Sequence, residues 1–309
     1  MNIKNIFKTL LTSTLCTVIM SLGTLSVSAA SQGLKIGDGN VSTTQAKKGY
    51  IFTCSTASGG GGSFKDGNWI KDGYWYPDLK PTVDGSIAWD SASVAFSTTD
   101  SKRIITGNGL PKGSTTGIYP IASTDDAYQY DRNPNTISSQ KISFELPLNP
   151  TTAKTPTCLN MGIIGIMTNG VPMFSGLDAE NRDAAAHEIL DVCGGHPERS
   201  GQYHYHNNSE CLTKSSVKKQ KLIGYALDGF GIYTMYDDKG KKLTNASLDE
   251  CHGITSTITW NGKKTKMYHY VMTQEYPYSL GCYKGTAVKV SSTTQGGSGM
   301  MPPPGTRPR

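Results

Sequence analysis

Three of the six histidines of this 309-residue chain fall within the 19 residues Cys193 to Cys211, CGGHPERSGQYHYHNNSEC. At its centre, Tyr203-His204-Tyr205-His206 alternates two ring types, and Gly201 and Asn207-Asn208 bracket it, so it reads as a short strand. On a strand, residues i and i+2 share a face about 6.5–7 Å apart. His204 and His206 are therefore predicted to project together, with Tyr203 and Tyr205 supporting the strand from the opposite face. Two imidazoles converging from one strand can hold a divalent transition ion, and His196 is placed to be a third ligand. Neutral imidazole suits zinc and copper alike, and the sequence does not choose between them. The plainer reading is an aromatic strand whose histidines satisfy hydrogen bonds.

An internal repeat shows which elements position these residues. Gly165 to Phe174 matches Gly224 to Tyr233, each reading as strand, Asx-Gly turn, strand. Asp191-Val192-Cys193 then matches Asp249-Glu250-Cys251, with His196 and His252 close behind. Next come Tyr203-His204-Tyr205 and Tyr268-His269-Tyr270, and each copy closes on a cysteine, Cys211 or Cys282. Two related β units about a pseudo-twofold axis are predicted, at about 160–211 and 222–282. Val271 stands where the first copy has His206, so only the first copy can form the His-x-His pair. The site is expected to be asymmetric, with His269 or His252 as a contribution from the second copy. Asp228 and Asp249 are candidate supporting residues.

Removing Cys16 with a leader leaves six cysteines, which allow 15 pairings. The repeat pairs Cys193 with Cys211 and Cys251 with Cys282, leaving Cys54 with Cys158. Thiolate zinc ligation is the alternative, disfavoured in an oxidising compartment.

The leader is residues 1–29: Lys4 and Lys8, an apolar run from Ile6 to Leu25, then Val27-Ser28-Ala29-Ala30, with cleavage after Ala29 or Ala30 equally arguable. Cys16 lies inside the apolar run without a lipid-anchor context. No other run is long enough to span a membrane, so an exported, periplasmic or extracellular, protein is expected. The formal charge of +6 becomes +4 without Lys4 and Lys8. Lys218-Lys219-Gln220-Lys221 and Lys263-Lys264 read as solvated turns, and no nucleic-acid face is expected.

Residues 30–100 form a β-rich segment with candidate strands at 49–53 and 93–96 and turns at Asp66-Gly67, Asp72-Gly73 and Asp84-Gly85. Gly59 to Gly62 reads as a loop. Trp69, Trp75 and Trp89 are expected in a β core, with carbohydrate binding as the other possibility. One helix is predicted, capped by Asp178 and running through Ala184-Ala185-Ala186 to about Leu190. His187-Glu188 lies on it, but Asp191 stands where an HExxH motif needs its second histidine. His187 therefore reads as a surface or packing residue. The tail, 291–309, is Ser, Thr, Gly and Pro and is expected to be basic and disordered. Gly297-Ser298-Gly299 in that tail makes no serine-nucleophile motif, and no nucleotide-binding motif appears. Asn40, Asn207 and Asn245 begin Asn-x-Ser sequons, which matter only in a glycosylating host.

The chain resembles the YHYH domain family. The resemblance rests on Gly107 to Pro111, Tyr130 to Pro134, Gly194-Gly195-His196-Pro197, Tyr203 to His206, Gly224 to Tyr233, Leu248 to Gly253 and Tyr276-Pro277-Tyr278. It covers about 100–285 and implies an exported or cell-surface bacterial-type protein, with no particular reaction. Members often repeat the Tyr-His-Tyr-His element, from which Val271 departs. The domain is placed at 101–290.

The fold expected is mainly β, sandwich-like, with a short helix and disulfides. Three functions fit: a metal-binding exported protein, a metal-dependent hydrolase, or a non-catalytic surface binding module. Cell-wall zinc peptidases also place His-x-His on a strand, one ring as ligand and one as base. They need an upstream His and an Asp in a set order, which Asp191 before His196 and Asp228 after the pair do not supply.

Overall fold

In a computed structural model, residues 32–56, 62–213 and 218–290 are described. The predicted leader, the tail and Gly59 to Gly61 lie outside them.

Each copy of the repeat begins with a hairpin closed on a polar turn residue. In the first, β4 (Ile163–Met167) turns into β5 (Pro172–Phe174). Asn169 Oδ1 accepts the Val171 N–H, and Gly170 takes a left-handed φ of 89° that a β-branched side chain would resist. In the second, β8 (Leu222–Ala226) turns into β9 (Gly231–Tyr233) through Asp228 and Gly229 in the same way.

The hairpins meet as an antiparallel pair, β4 against β8, with Ile166 opposite its repeat equivalent Tyr225. Each hairpin then takes a parallel neighbour from further along the chain. Met173 on β5 pairs with Tyr205 on β7 (Tyr203–Tyr205), and Ile232 on β9 pairs with Tyr270 on β11 (Lys263–Val271). An antiparallel strand completes each edge, β6 (Gly195–Pro197) on β7 and β10 (Gly253–Trp260) on β11. The eight-stranded order β6-β7-β5-β4-β8-β9-β11-β10 reads the same from either end in repeat terms. The predicted twofold relation is thus a single continuous sheet with its axis between Ile166 and Tyr225.

A second layer covers the centre. Strands β1 (Val94–Thr98), β2 (Lys102–Gly107) and β3 (Ile142–Pro147) form a sheet of order β3-β2-β1. Its Phe96 ring lies 6.0 Å from Tyr225, and the Arg103 guanidinium lies 4.3 Å from the same ring. Ahead of Val94, the N-terminal segment contributes strand pairings of only two residues among the described residues, among them 34–35 with 74–75 and 41–42 with 51–52. Trp69 and Trp75 are buried, so neither offers a ring face to a glycan. Trp69 Nε1 donates to the Ala186 carbonyl.

The turns entering the edge strands repeat atom for atom. Asp191 Oδ1 accepts the N–H groups of Cys193 and Gly195 and the Tyr203 hydroxyl; Asp249 Oδ1 accepts those of Cys251 and Gly253 and the Tyr268 hydroxyl. A Cβ at Gly195 or Gly253 would run into that tyrosine ring, which explains the glycine in each copy. The disulfides Cys54–Cys158, Cys193–Cys211 and Cys251–Cys282 are the pairs that the repeat suggests. In the chain-entropy model such loops stabilise by about 3–5 kcal/mol each.

The predicted helix is a single turn, α1 (Ala184–His187), capped by Asp183 rather than Asp178. Asp178 instead closes a loop, its Oδ1 accepting the Glu180 and Arg182 N–H groups at 2.8 Å each. Polar alternatives of this kind compete with helix. A second helical turn, α2 (Glu210–Thr213), carries Cys211.

Asp191 also accepts the Gly117 N–H, so its loss strands several buried donors. Asp191→Ala is expected to cost about 3 kcal/mol or more in urea unfolding. Asp249→Ala, at a more exposed turn, should cost less. Equal, sub-kcal effects would remove these turns as determinants of the fold.

Candidate metal centre

The register of β6 and β7 builds the site. His196 is directly opposite His204, and cross-strand neighbours sit with Cβ atoms about 4.5–5.5 Å apart. His206 follows two residues after His204, on the same face. Tyr203 and Tyr205 take the opposite face, their rings edge-to-face at 5.6 Å, tied to Asp191 and to Asn169 Nδ2 respectively.

The three imidazoles converge through the same atom. Nε2 of His204 lies 3.1 Å from that of His196 and 3.0 Å from that of His206, and the third side of the triangle is 3.4 Å. These three histidines form the one His/Cys/Asp/Glu group of metal-binding geometry among the described residues. Two of the rings have their other nitrogen anchored. His204 Nδ1 donates to the Gln202 carbonyl at 3.0 Å, and His206 Nδ1 to the Ser175 carbonyl at 2.5 Å. Carbonyl partners fix the Nδ1–H tautomer and leave Nε2 a bare lone pair. Phe174 stacks on His204 at 3.8 Å and walls the cluster with an apolar face.

A fourth donor comes from Glu188, which the sequence reading had set aside with the failed HExxH motif. Its Oε2 lies 3.3 Å from His196 Nε2 and 3.2 Å from His206 Nε2. That oxygen is buried and has no hydrogen-bond donor among the described residues; nor has His196 Nδ1 a partner. Helix α1 ends at His187, and Glu188 is extended, which turns its side chain toward the histidines. Lys80 Nζ occupies the freed carbonyls of Ala185, at 2.6 Å, and Glu188. The only sequence signal for Glu188 was an acidic residue just upstream of the histidine cluster.

Burial sets the protonation of this group. Loss of water pushes His196 and His204 well below the usual imidazole range, with neighbouring rings adding to the effect, and His206 to about 4. The histidines are therefore neutral, the ligating form, at ordinary pH. Burial raises Glu188 well above the carboxylate range, with Asp178 and Asp131 adding to it. Lys80, its ammonium buried, falls to about 8 despite nearby carboxylates.

The other histidines go elsewhere. His187 is buried between Asp66, at 2.6 Å from Nδ1, and Asp38, at 2.9 Å from Nε2. Burial alone would lower its pKa, but the two carboxylates outweigh that and raise it. His252 and His269 are not brought to the cluster. Five strand spacings separate β7 from β11, about 24 Å at ~4.8 Å each. The register also changes the equivalence: Ile254, opposite His269, stands in the place of His196, while His252 matches Gly194, both at left-handed φ. Val271 packs with Met235, Leu243, Leu248 and Ile254, so apolar side chains replace His196 and His206 in the second copy, and only His269 keeps an imidazole, at the place of His204. Asp228, accepting from Tyr270, and Asp249, accepting from Tyr268, support the second copy rather than the histidine cluster.

His252 and His269 have a consequence for acid stability. Burial lowers them to about 3 and about 4, against about 6.5 in the unfolded chain. The stability from a lowered histidine is complete above the unfolded value and is lost as pH falls toward the folded one. Asp131 and Asp183, raised by burial to about 6, act in the opposite sense. The clean readout is therefore a difference. Between pH 7.5 and 4.5, His252→Asn should gain about 2–3 kcal/mol relative to wild type in denaturant unfolding with chelator present. A pH-independent difference would contradict this.

Three disulfides point to an oxidising, extracytoplasmic environment, and no helix among the described residues is long and apolar enough to cross a membrane. No curated protein and no solved structure matches the chain. The family model described as YHYH protein matches residues 143–247, which include Glu188, the three converging histidines and both hairpins. The segment that builds this centre thus matches the YHYH family, the one that the sequence resembles.

Proposed function

We propose that this is an exported protein holding a divalent transition ion, zinc or copper, on His196, His204, His206 and Glu188. The observation that carries the reading is the triangle of Nε2 atoms at 3.0–3.4 Å, two of them with tautomers fixed by carbonyls. Lone pairs at that spacing repel unless a proton or a cation stands between them. Nitrogen ligands on a tetrahedral zinc at about 2.05 Å are about 3.3 Å apart, and the Glu188 distances match the same figure. A bound cation would also favour the ionised form of Glu188, which burial otherwise opposes.

The donor set supports a holding role over hydrolysis. Catalytic zinc keeps a position open to water, whereas structural zinc is closed by four protein ligands. All four side chains are buried, as a closed set of protein ligands would be. Bound metal would fasten the end of α1 to the edge strand β6 and its neighbour β7. The leader-like residues 1–29 and the disulfides support export.

Elemental analysis of the purified protein, before and after incubation with zinc and with copper, tests this. One ion per chain is expected in wild type and in His269→Ala, and none in the His204→Ala/His206→Ala double variant. Glu188→Gln should retain the ion with about 10–100-fold weaker affinity. Metal-free wild type after both incubations, or a full complement in the double variant, would sink the reading and leave a hydrogen-bonded histidine core.

A further inference from the structure

The two lysine runs that read as solvated turns converge on one cleft. It has a volume of about 850 Å³ and lies at the second-copy end of the large sheet. Lys218, Lys219 and Lys221 precede β8, Lys264 begins β11, and Lys239 comes from the loop after β9. Arg103 reaches it from β2. Against these six cations the lining holds two carboxylates, Asp237 and Asp238. Asp237 Oδ1 is already committed to the backbone N–H groups of Lys239 and Lys241. Among the described residues, the ammonium groups of Lys218, Lys219, Lys239 and Lys264 form no ion pair.

Arg103 makes the cleft a built feature rather than a loose patch. It is 6 % exposed, yet it pairs with no carboxylate. Its guanidinium stacks on Tyr225 at 4.3 Å and Trp260 at 5.1 Å, and Nη2 donates to Asn261 Oδ1 at 2.7 Å. Nε is buried without an acceptor. A buried cation held by aromatic faces and an amide, with no counter-charge, favours an anion arriving from outside. The same loop in the first copy carries the opposite emphasis. Glu180 stands where the second copy has Lys239, and Arg182 there is paired to Asp178.

We infer that this cleft binds an anionic polysaccharide, recognised through several sulfate, phosphate or carboxylate groups along its chain. Single-stranded nucleic acid is the competing polyanion, but its binders present exposed aromatic rings for base stacking. Here Tyr225, beneath the Arg103 guanidinium, and Tyr233 are both buried, and the disulfides point to a place outside the cytosol. The site is separate from the histidine centre and does not depend on it.

Titration calorimetry of the full protein with heparin, as a sulfated polysaccharide probe, and with oligothymidylate of matched charge tests the inference. Wild type should bind heparin at 50 mM salt and weaken steeply as salt rises. Lys218→Gln/Lys219→Gln/Lys264→Gln should bind about tenfold or more weakly, whereas Lys35→Gln/Lys71→Gln/Lys141→Gln should stay within about twofold. These six lysines are exposed, so the variants keep the fold. Arg103→Lys keeps the charge, loses the planar stack and should weaken binding by itself. Three results would overturn the proposal: no heparin binding at low salt, equal losses in the two triple variants, or oligothymidylate binding as tightly as heparin.

Discussion

His196 and His204 face each other across β6 and β7, and the candidate centre depends on that register. A slip of one residue would exchange the faces of the strand, turning Tyr203 and Tyr205 toward Glu188 and the histidines into the core. The pairing is short, three residues on each strand, so its own ladder is a weak determinant. What fixes it is the Asp191 turn, which takes two N–H groups at the start of β6 and the Tyr203 hydroxyl from β7. The Cys193–Cys211 disulfide encloses the whole hairpin. One carboxylate and one disulfide thereby decide which side chains converge.

The second copy shows that this scaffold does not by itself require a metal centre. Asp249, Gly253, Tyr268 and Tyr270 reproduce the turn and the tyrosine face, so the backbone arrives in the same place. There, Ile254, Val271 and Met235 fill the space with apolar atoms. That is the cheap way to finish a sheet edge. In the first copy the same space holds three imidazoles and a carboxyl, each of which loses water on burial. Polar side chains kept at that cost, in one half of a repeat whose other half retains only His269 among the matching positions, support a ligand that the full set can hold.

Much of this was legible in the chain. The alternation at 203–206 separates rings by face because strand geometry leaves no choice, and the repeat reduces 15 cysteine pairings to one set. Four things were not legible. Glu188 is invisible as a donor because its role depends on where α1 stops. Asp178, an acceptable cap by residue type, was diverted into a loop by hydrogen bonds to its own neighbours. The equivalence of His252 with His196 failed because similar spacing along a chain is not the same register; pairing assigns Ile254 to that place. The lysine runs near 218–221 and 263–264 are distant in sequence, so only the sheet brings them together.

The central claim concerns the atoms around one ion. X-ray absorption at the metal edge of zinc-loaded or copper-loaded protein reads those atoms directly. The account predicts three imidazole nitrogens and one oxygen at about 2.0–2.1 Å, with the oxygen contribution altered in Glu188→Gln. A first shell containing sulfur, or one with a single imidazole and several water oxygens, would contradict it.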